Sequence, residues 1–288
     1  MGVDMGICKR VHRRVVRLFH PVVGEIWCLH RVVPERSWAR ENRELEITPA
    51  YLEQLIVDYR RRGYRFVSLD EFEARRNRFR MPWQKKMVVV SFDDGFRDVY
   101  EYAYPIFQQY GVPFTVYLTT SFPDGQADLW WLHLERLLEA RPDREVAYTE
   151  AIRDIYASEG TPSQTFAARY TPLADWDARQ YMLTWEMLRE MQSSGLLTVG
   201  SHTVTHPMLA RVPMAQVEEE LRFSRERIGE MMGVVPRHFS YPHSSMTEEV
   251  AAAVARAGYS TATLGYGGSV RRGNTPYWWN RVYLCMDV

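Results

Sequence analysis

Cysteine is scarce: the chain has three (Cys8, Cys28 and Cys285), an odd set with no CxxC pair. That excludes a disulfide framework and a cysteine-rich zinc site, and it suggests a reducing compartment. A surplus of either charge is also missing, since 36 basic side chains balance 36 acidic ones. Nucleic-acid binders ordinarily carry a basic excess, so that class is disfavoured. No run reaches the ~18 consecutive apolar residues of a membrane span. Near the start, residues 10–19 interleave arginines with apolar residues and lack the continuous hydrophobic core of an export signal. The expectation is a cytoplasmic protein without signal peptide or transmembrane helix. The basic segment, residues 1–24, reads as a solvated helix packed on the domain; contact with an anionic membrane surface at the inner face is the other reading. Repeats, low-complexity tracts and Pro- or Ser-rich linkers are absent as well.

What is present is an ordinary globular composition, 46% hydrophobic and 25% charged over 288 residues, which suits one large α/β domain. Short β-branched runs at about 24–33, 64–69, 87–92, 114–118, 196–201, 237–241, 259–264 and 281–284 read as strands, with helical patterns between them. Thr48 and Pro49 mark one helix start as cap and first-turn residue. The βα rhythm predicts a parallel sheet closed into a distorted (β/α) barrel over residues 25–288, with chemistry at the C-terminal ends of the strands. Over residues 122–184 the rhythm breaks, and apolar helical segments predict a helical insertion on the rim.

The apolar run of the central strand ends in Ser91-Phe92-Asp93-Asp94-Gly95. Two adjacent carboxylates at a strand end repel each other and lose hydration, a cost that a cation or a shared proton offsets. Their complement is Ser201-His202-Thr203-Val204-Thr205-His206, two histidines four apart just after another strand. With one carboxylate, two such histidines make a metal site with open positions. Asp94 is the expected third ligand, which leaves Asp93 free to take a proton from water activated by the cation. Zinc is the expected divalent ion; cobalt, nickel and manganese also suit this donor set. Alone, an Asp-Asp pair reads as a turn or helix cap and an HxxxH pair as structural. Their joint placement at two strand ends of one sheet favours the metal site.

These segments resemble the motifs of the polysaccharide deacetylases, the NodB-homology family of carbohydrate esterases. Residues 91–95 are similar to the family's first motif and residues 201–206 to its second. Phe239-Ser240-Tyr241-Pro242-His243 resembles the third, and Cys28-Leu29-His30-Arg31-Val32 resembles the early histidine segment of the exopolysaccharide, poly-N-acetylglucosamine deacetylase branch. The resemblance spans about residues 25–284. It implies a distorted (β/α)7 barrel and metal-dependent removal of acetyl from an N-acetylated sugar in a polysaccharide, glycan or lipid-linked precursor. It implies Asp93 as base, Asp94, His202 and His206 as metal ligands, and the Tyr241 backbone N–H, beside Pro242, as oxyanion donor. It further implies His30 as the acid that protonates the leaving amine, reaching the face opposite the base.

The third motif departs from the family pattern: His243 replaces an aromatic residue and Arg237 lies too early to serve the base. Arg281, on the last strand, is expected to supply a guanidinium that pairs with Asp93 and holds it ionised. Trp278 and Trp279 are candidate stacking faces for sugar rings, whereas Trp130, Trp131 and His133 read as packing residues. Cys28 has no evident base, which argues against a nucleophilic thiol. Two other readings stand beside the deacetylase: a cyclic imide or ureide hydrolase on the same barrel, and a non-catalytic glycan-binding module.

Overall fold

The computed structural model describes residues 22–76, 86–158 and 162–286. Seven parallel strands form a closed ring. In chain order they are β1 (Val22–Leu29), β2 (Met87–Phe92), β3 (Phe114–Leu118), β4 (Leu197–Ser201), β5 (His238–Ser240), β6 (Thr261–Gly267) and β7 (Trp279–Tyr283). Each strand pairs with its successor, and β7 pairs with β1 to close the barrel, as expected.

The period-2 alternation of β2 divides its side chains between two apolar layers. Val88, Val90 and Phe92 join the layer beneath the surrounding helices, together with Leu52, Phe107 and Leu188. Met87 and Val89 join Ile26, Tyr117 and Trp279 in the other layer. Every residue of β2 is buried, and each fully buried aliphatic side chain contributes about 1.5–3 kcal/mol. The same alternation puts Ser91 and Asp93 in phase with Met87 and Val89.

Helices α1 (Pro49–Arg61), α2 (Leu69–Arg75) and α3 (Tyr104–Tyr110) surround the first strands, and α7 (Trp185–Ser193), α8 (Met214–Met232) and α9 (Glu248–Arg256) the later ones. Their starts are fixed locally. Thr48, Ser68, Thr184 and Thr247 each accept a hydrogen bond from an amide three residues on, as N-caps do. The Ser68 cap also corrects one expectation. Of the strand predicted over 64–69, only Arg65–Phe66 pairs, at an edge of β2 outside the ring, because the chain turns into α2 at Ser68. A short pair, Val270–Arg271, lies antiparallel on β1.

Between β3 and α7 stand α4 (Trp130–Leu138), α5 (Arg144–Tyr156) and α6 (Pro162–Arg169). Trp130, Leu134, Tyr148, Ile155 and Phe166 form a separate apolar cluster there with Ala39. His133 is buried in this region; it accepts the Leu173 amide at 2.9 Å and stacks on Trp176 at 4.4 Å, a packing role as expected. The segment returns to the barrel through a bridge between Phe96 and Met182 and the Leu183 amide bonded to the Gly95 carbonyl at 2.9 Å. The basic helix expected near the chain start lies outside the described residues. Among the described residues no helix is long and apolar enough to cross a membrane.

Candidate active site

The Asp93 amide donates to the Leu29 carbonyl at 3.0 Å, extending the β1–β2 ladder by one residue. Its side chain meets Arg281, which is fully buried. All five guanidinium donors are satisfied. Nε bonds the Leu264 carbonyl at 2.7 Å; one terminal nitrogen bonds Ser91 Oγ at 3.1 Å and Asp93 Oδ1 at 2.7 Å; the other bonds Ser240 Oγ at 2.9 Å and Asp93 Oδ2. Burial pushes the Asp93 carboxyl up, but the Arg281 charge, with His202 next, outweighs it and holds Asp93 well below the usual carboxylate range. Arg281 and Asp93 are thus brought together as a buried ion pair. Cys28 Sγ lies 4.0 Å from Asp93 Oδ2. Burial raises its thiol to about 12, so it is a neutral neighbour of the carboxylate and no nucleophile.

The chain then turns sharply. Asp94 and Gly95 have φ of 71° and 99°, and a Cβ on Gly95 would lie 2.6 Å from Leu118 Cδ1, so only glycine fits. The turn brings Asp94 Oδ1 to 3.5 Å from His202 Nε2 and 3.3 Å from His206 Nε2. The two Nε2 atoms are 3.2 Å apart. His202 Nδ1 is 2.8 Å from the Ser240 carbonyl oxygen, which can only accept. The proton therefore sits on Nδ1, and Nε2 presents its lone pair. Burial depresses both imidazoles, His202 to about 4 and His206 to about 3, so both are neutral at neutral pH.

A tetrahedral ion at about 2.0–2.2 Å from each donor separates those donors by roughly 3.3–3.6 Å. The observed triangle matches that edge length, and its chemistry of two imidazoles and a carboxylate suits a divalent transition ion. The residues fit the group.

Among the described residues, five non-glycine residues have positive φ: Asp94, Thr203, His206, His243 and Ser244. All lie in the loops after β2, β4 and β5, and each such conformation costs on the order of 1–3 kcal/mol. Thr203 Oγ1 holds the His loop by accepting the His206 amide at 3.0 Å.

His30 follows β1 and also reaches the site. One of its ring nitrogens lies within 4.8 Å of Cys28 Sγ and of an Asp93 oxygen, and its ring is 5.9 Å from that of Tyr283. It therefore stands beside Asp93, where the sequence suggested the opposite face.

Two further expectations are corrected. The Tyr241 amide donates to the Thr263 carbonyl at 3.1 Å, within the β5–β6 ladder. It is committed to the sheet and is not a free oxyanion donor. Pro242, buried next to it, opens a single tight turn, Pro242–Ser244. The residue of that turn near the histidine pair is His243, whose ring is 4.6 Å from His206.

Trp279 is the other correction. It is fully buried, edge-on to Phe72 at 5.6 Å, with the Arg76 guanidinium 5.2 Å from its ring. It lies at the start of β7, whereas Asp94, His202 and His206 follow strand ends, so it closes the opposite end of the barrel and offers no face to a sugar. Trp278, partly exposed, precedes the same strand start and lies at that end too.

Sequence reasoning passed over Ser91 and Ser240. The available signal was a serine inside an otherwise apolar buried strand, because a buried hydroxyl requires a partner.

A family model for polysaccharide deacetylase matches residues 80–262. Poly-beta-1,6-N-acetyl-D-glucosamine N-deacetylase of Escherichia coli is 24% identical over 166 residues, 57% of this chain and 19% of that protein. YxkH of Bacillus subtilis is 23% identical over 198 residues, 69% of this chain and 51% of its own length. The chain thus spans about half or less of these curated relatives. Among solved structures, Streptococcus pyogenes deacetylase PplD in complex with acetate superposes with a TM-score of 0.67 at 19% identity, covering 92% of this chain and 93% of that one. IcaB from Ammonifex degensii gives 0.64 at 23% identity with the same coverage of both chains. These structures share the barrel, and the family match takes in Asp93, Asp94, His202, His206 and the β5 loop. The chain belongs to the polysaccharide deacetylase family.

Proposed function

We propose that the chain is a metal-dependent hydrolase that removes acetyl from an N-acetylated amino sugar in a polysaccharide, glycan or lipid-linked precursor. One observation carries the reading: the ligand triangle of Asp94, His202 and His206 stands beside a buried, ionised Asp93. A divalent ion held there, zinc first, would supply a Lewis acid for the acetamide carbonyl and lower the pKa of water. Asp93 takes the proton of the attacking water. Arg281 keeps Asp93 ionised and fixes its orientation through two parallel hydrogen bonds. His30, whose ring nitrogen lies within 4.8 Å of an Asp93 oxygen, protonates the amine nitrogen as the C–N bond breaks. The products are acetate and the free amino sugar. The match to a poly-beta-1,6-N-acetyl-D-glucosamine N-deacetylase supports a polymeric N-acetylglucosamine substrate.

The test uses protein stripped with chelator and reloaded with zinc. Acetate release is measured on β-1,6- and β-1,4-linked N-acetylglucosamine oligomers and on lipid-linked N-acetylated sugars. Zinc-dependent acetate release is expected. Sugar binding without acetate would favour a glycan-binding module. Imide turnover by protein that takes up no metal would favour the imide hydrolase.

A further inference from the structure

The loop carrying His206 makes its outward hydrogen bonds to one helix residue. Glu220, on α8 and almost fully buried, accepts the Val204 amide at 2.6 Å, the Thr205 amide at 3.0 Å and the Thr205 hydroxyl. One helical turn later, Ser224 Oγ lies 2.8 Å from Ser201 Oγ, which itself accepts the Thr203 amide at 3.3 Å. Glu220 and Ser224, at i and i+4, lie on one face of α8. That face grips the histidine motif at its strand end and at its loop. The other side of the loop is held by the Thr120 and Ser121 amides, bonded to the Thr203 and Val204 carbonyls at 3.1 Å each.

We infer that Glu220 is a positioning residue for the cation site: it sets the loop that aims His206 Nε2 at His202 Nε2 and Asp94 Oδ1. The argument is one of satisfaction and strain. A buried carboxylate is costly unless it is hydrogen-bonded, and here it accepts donors from the two residues immediately before His206. The loop backbone it holds is unfavourable by itself, since Thr203 and His206 have φ of 70° and 61°. Loops of that kind persist when their surroundings over-determine them. Outer contacts of this sort commonly govern metal affinity by ~10–100-fold. Glu220→Met keeps the length of the side chain but removes every acceptor, leaving the Val204 and Thr205 amides and the Thr205 hydroxyl without that partner, so the loop relaxes and His206 loses its place in the triangle.

This inference rests on the reading of Asp94, His202 and His206 as cation ligands, and the experiment separates the two. Wild-type, Glu220→Met and Thr205→Val proteins are stripped with chelator. Zinc affinity is measured by competition with a chromophoric chelator, thermal midpoints on the apo proteins, and amide exchange at Val204 and Thr205 by mass spectrometry. Thr205→Val removes only the hydroxyl bond and keeps the fold available should Glu220→Met not fold. Expected are zinc binding weakened about tenfold or more in Glu220→Met, a smaller loss in Thr205→Val, and faster exchange at both amides in Glu220→Met. A folded Glu220→Met with wild-type zinc affinity and unchanged exchange, or failing that Thr205→Val with wild-type zinc affinity, would overturn the role of Glu220. A wild-type protein that takes up no zinc would overturn the cation reading and this inference with it.

Discussion

The Ser240 carbonyl oxygen lies 2.8 Å from His202 Nδ1, while the Ser240 hydroxyl lies 3.3 Å from Asp93 Oδ2 and 2.9 Å from an Arg281 terminal nitrogen. One residue at the end of β5 thus joins the histidine side of the site to the Asp93 side. Its backbone fixes the tautomer of His202, and its side chain steadies Asp93 and the guanidinium paired with it.

Ser240→Ala separates these functions. The carbonyl remains, so zinc affinity should stay within about twofold of wild type. Arg281 loses one acceptor in a fully buried setting, which costs about 1–3 kcal/mol of stability in a urea titration. In turnover, kcat should fall more than KM changes, because Asp93 is held less firmly. A large loss of zinc affinity would show that the hydroxyl, and not the carbonyl alone, orients His202.

The pairing of Asp93 with Arg281 has a pH signature. Because the folded-state pKa of Asp93 lies below its unfolded value, its contribution to stability is fully present above about pH 4. That contribution is lost as pH falls through the folded value. Arg281→Ala leaves a buried carboxylate unpaired and costs about 3–5 kcal/mol near neutrality. Its Asp93 pKa then rises with burial, so the variant gains stability as pH is lowered from 7 toward 4, where the wild-type Asp93 term is flat. Urea midpoints over that range should therefore converge. Parallel curves would mean that Arg281 does not set the ionisation of Asp93. Arg281→Lys, which keeps the charge and loses the parallel pair of hydrogen bonds, should fall between the two.

The barrel was legible because burial on both faces writes strands as continuous β-branched runs, and capping residues mark the helices between them. The grouping of Asp94, His202 and His206 was legible for a related reason: carboxylates and histidines at strand ends have few structural uses in that combination. Tyr241 was misread because sequence does not say whether a backbone amide at a strand end is still spent in the ladder. Trp279 was misread because residue type does not tell which mouth of a barrel a residue closes; only the register of β7 does. Ser91 and Ser240 were invisible because a serine is informative only once its neighbours in space are known.

Trp279→Ala should behave as a core truncation, with a loss of about 3–5 kcal/mol on thermal or urea unfolding. Where the variant remains folded, KM for the glycan should be unchanged. Trp278→Ala, at the same end of the barrel and partly exposed, should alter neither stability nor KM appreciably. A several-fold rise in KM with either variant would restore the tryptophans as sugar contacts.

Asp93→Asn is the sharpest separation of ligand from base. Asp94 Oδ1 lies 3.5 Å from His202 Nε2 and 3.3 Å from His206 Nε2, whereas the nearest ion-pair approach of Asp93 to either histidine is 3.9 Å, from Oδ2 to His202 Nε2. A cation drawn to the histidines therefore has Asp94 as its carboxylate, and zinc content should remain near that of wild type in Asp93→Asn. Turnover should drop by ~10²–10⁴-fold, the usual contribution of a general base. The amide also sets an NH2 group against an Arg281 donor, so the loss of activity must be measured well below the variant's unfolding midpoint. Asp94→Asn should show the converse pattern, with zinc affinity lost first and turnover recovered in part by excess zinc. If Asp93→Asn loses zinc while Asp94→Asn retains it, the two carboxylates have exchanged roles.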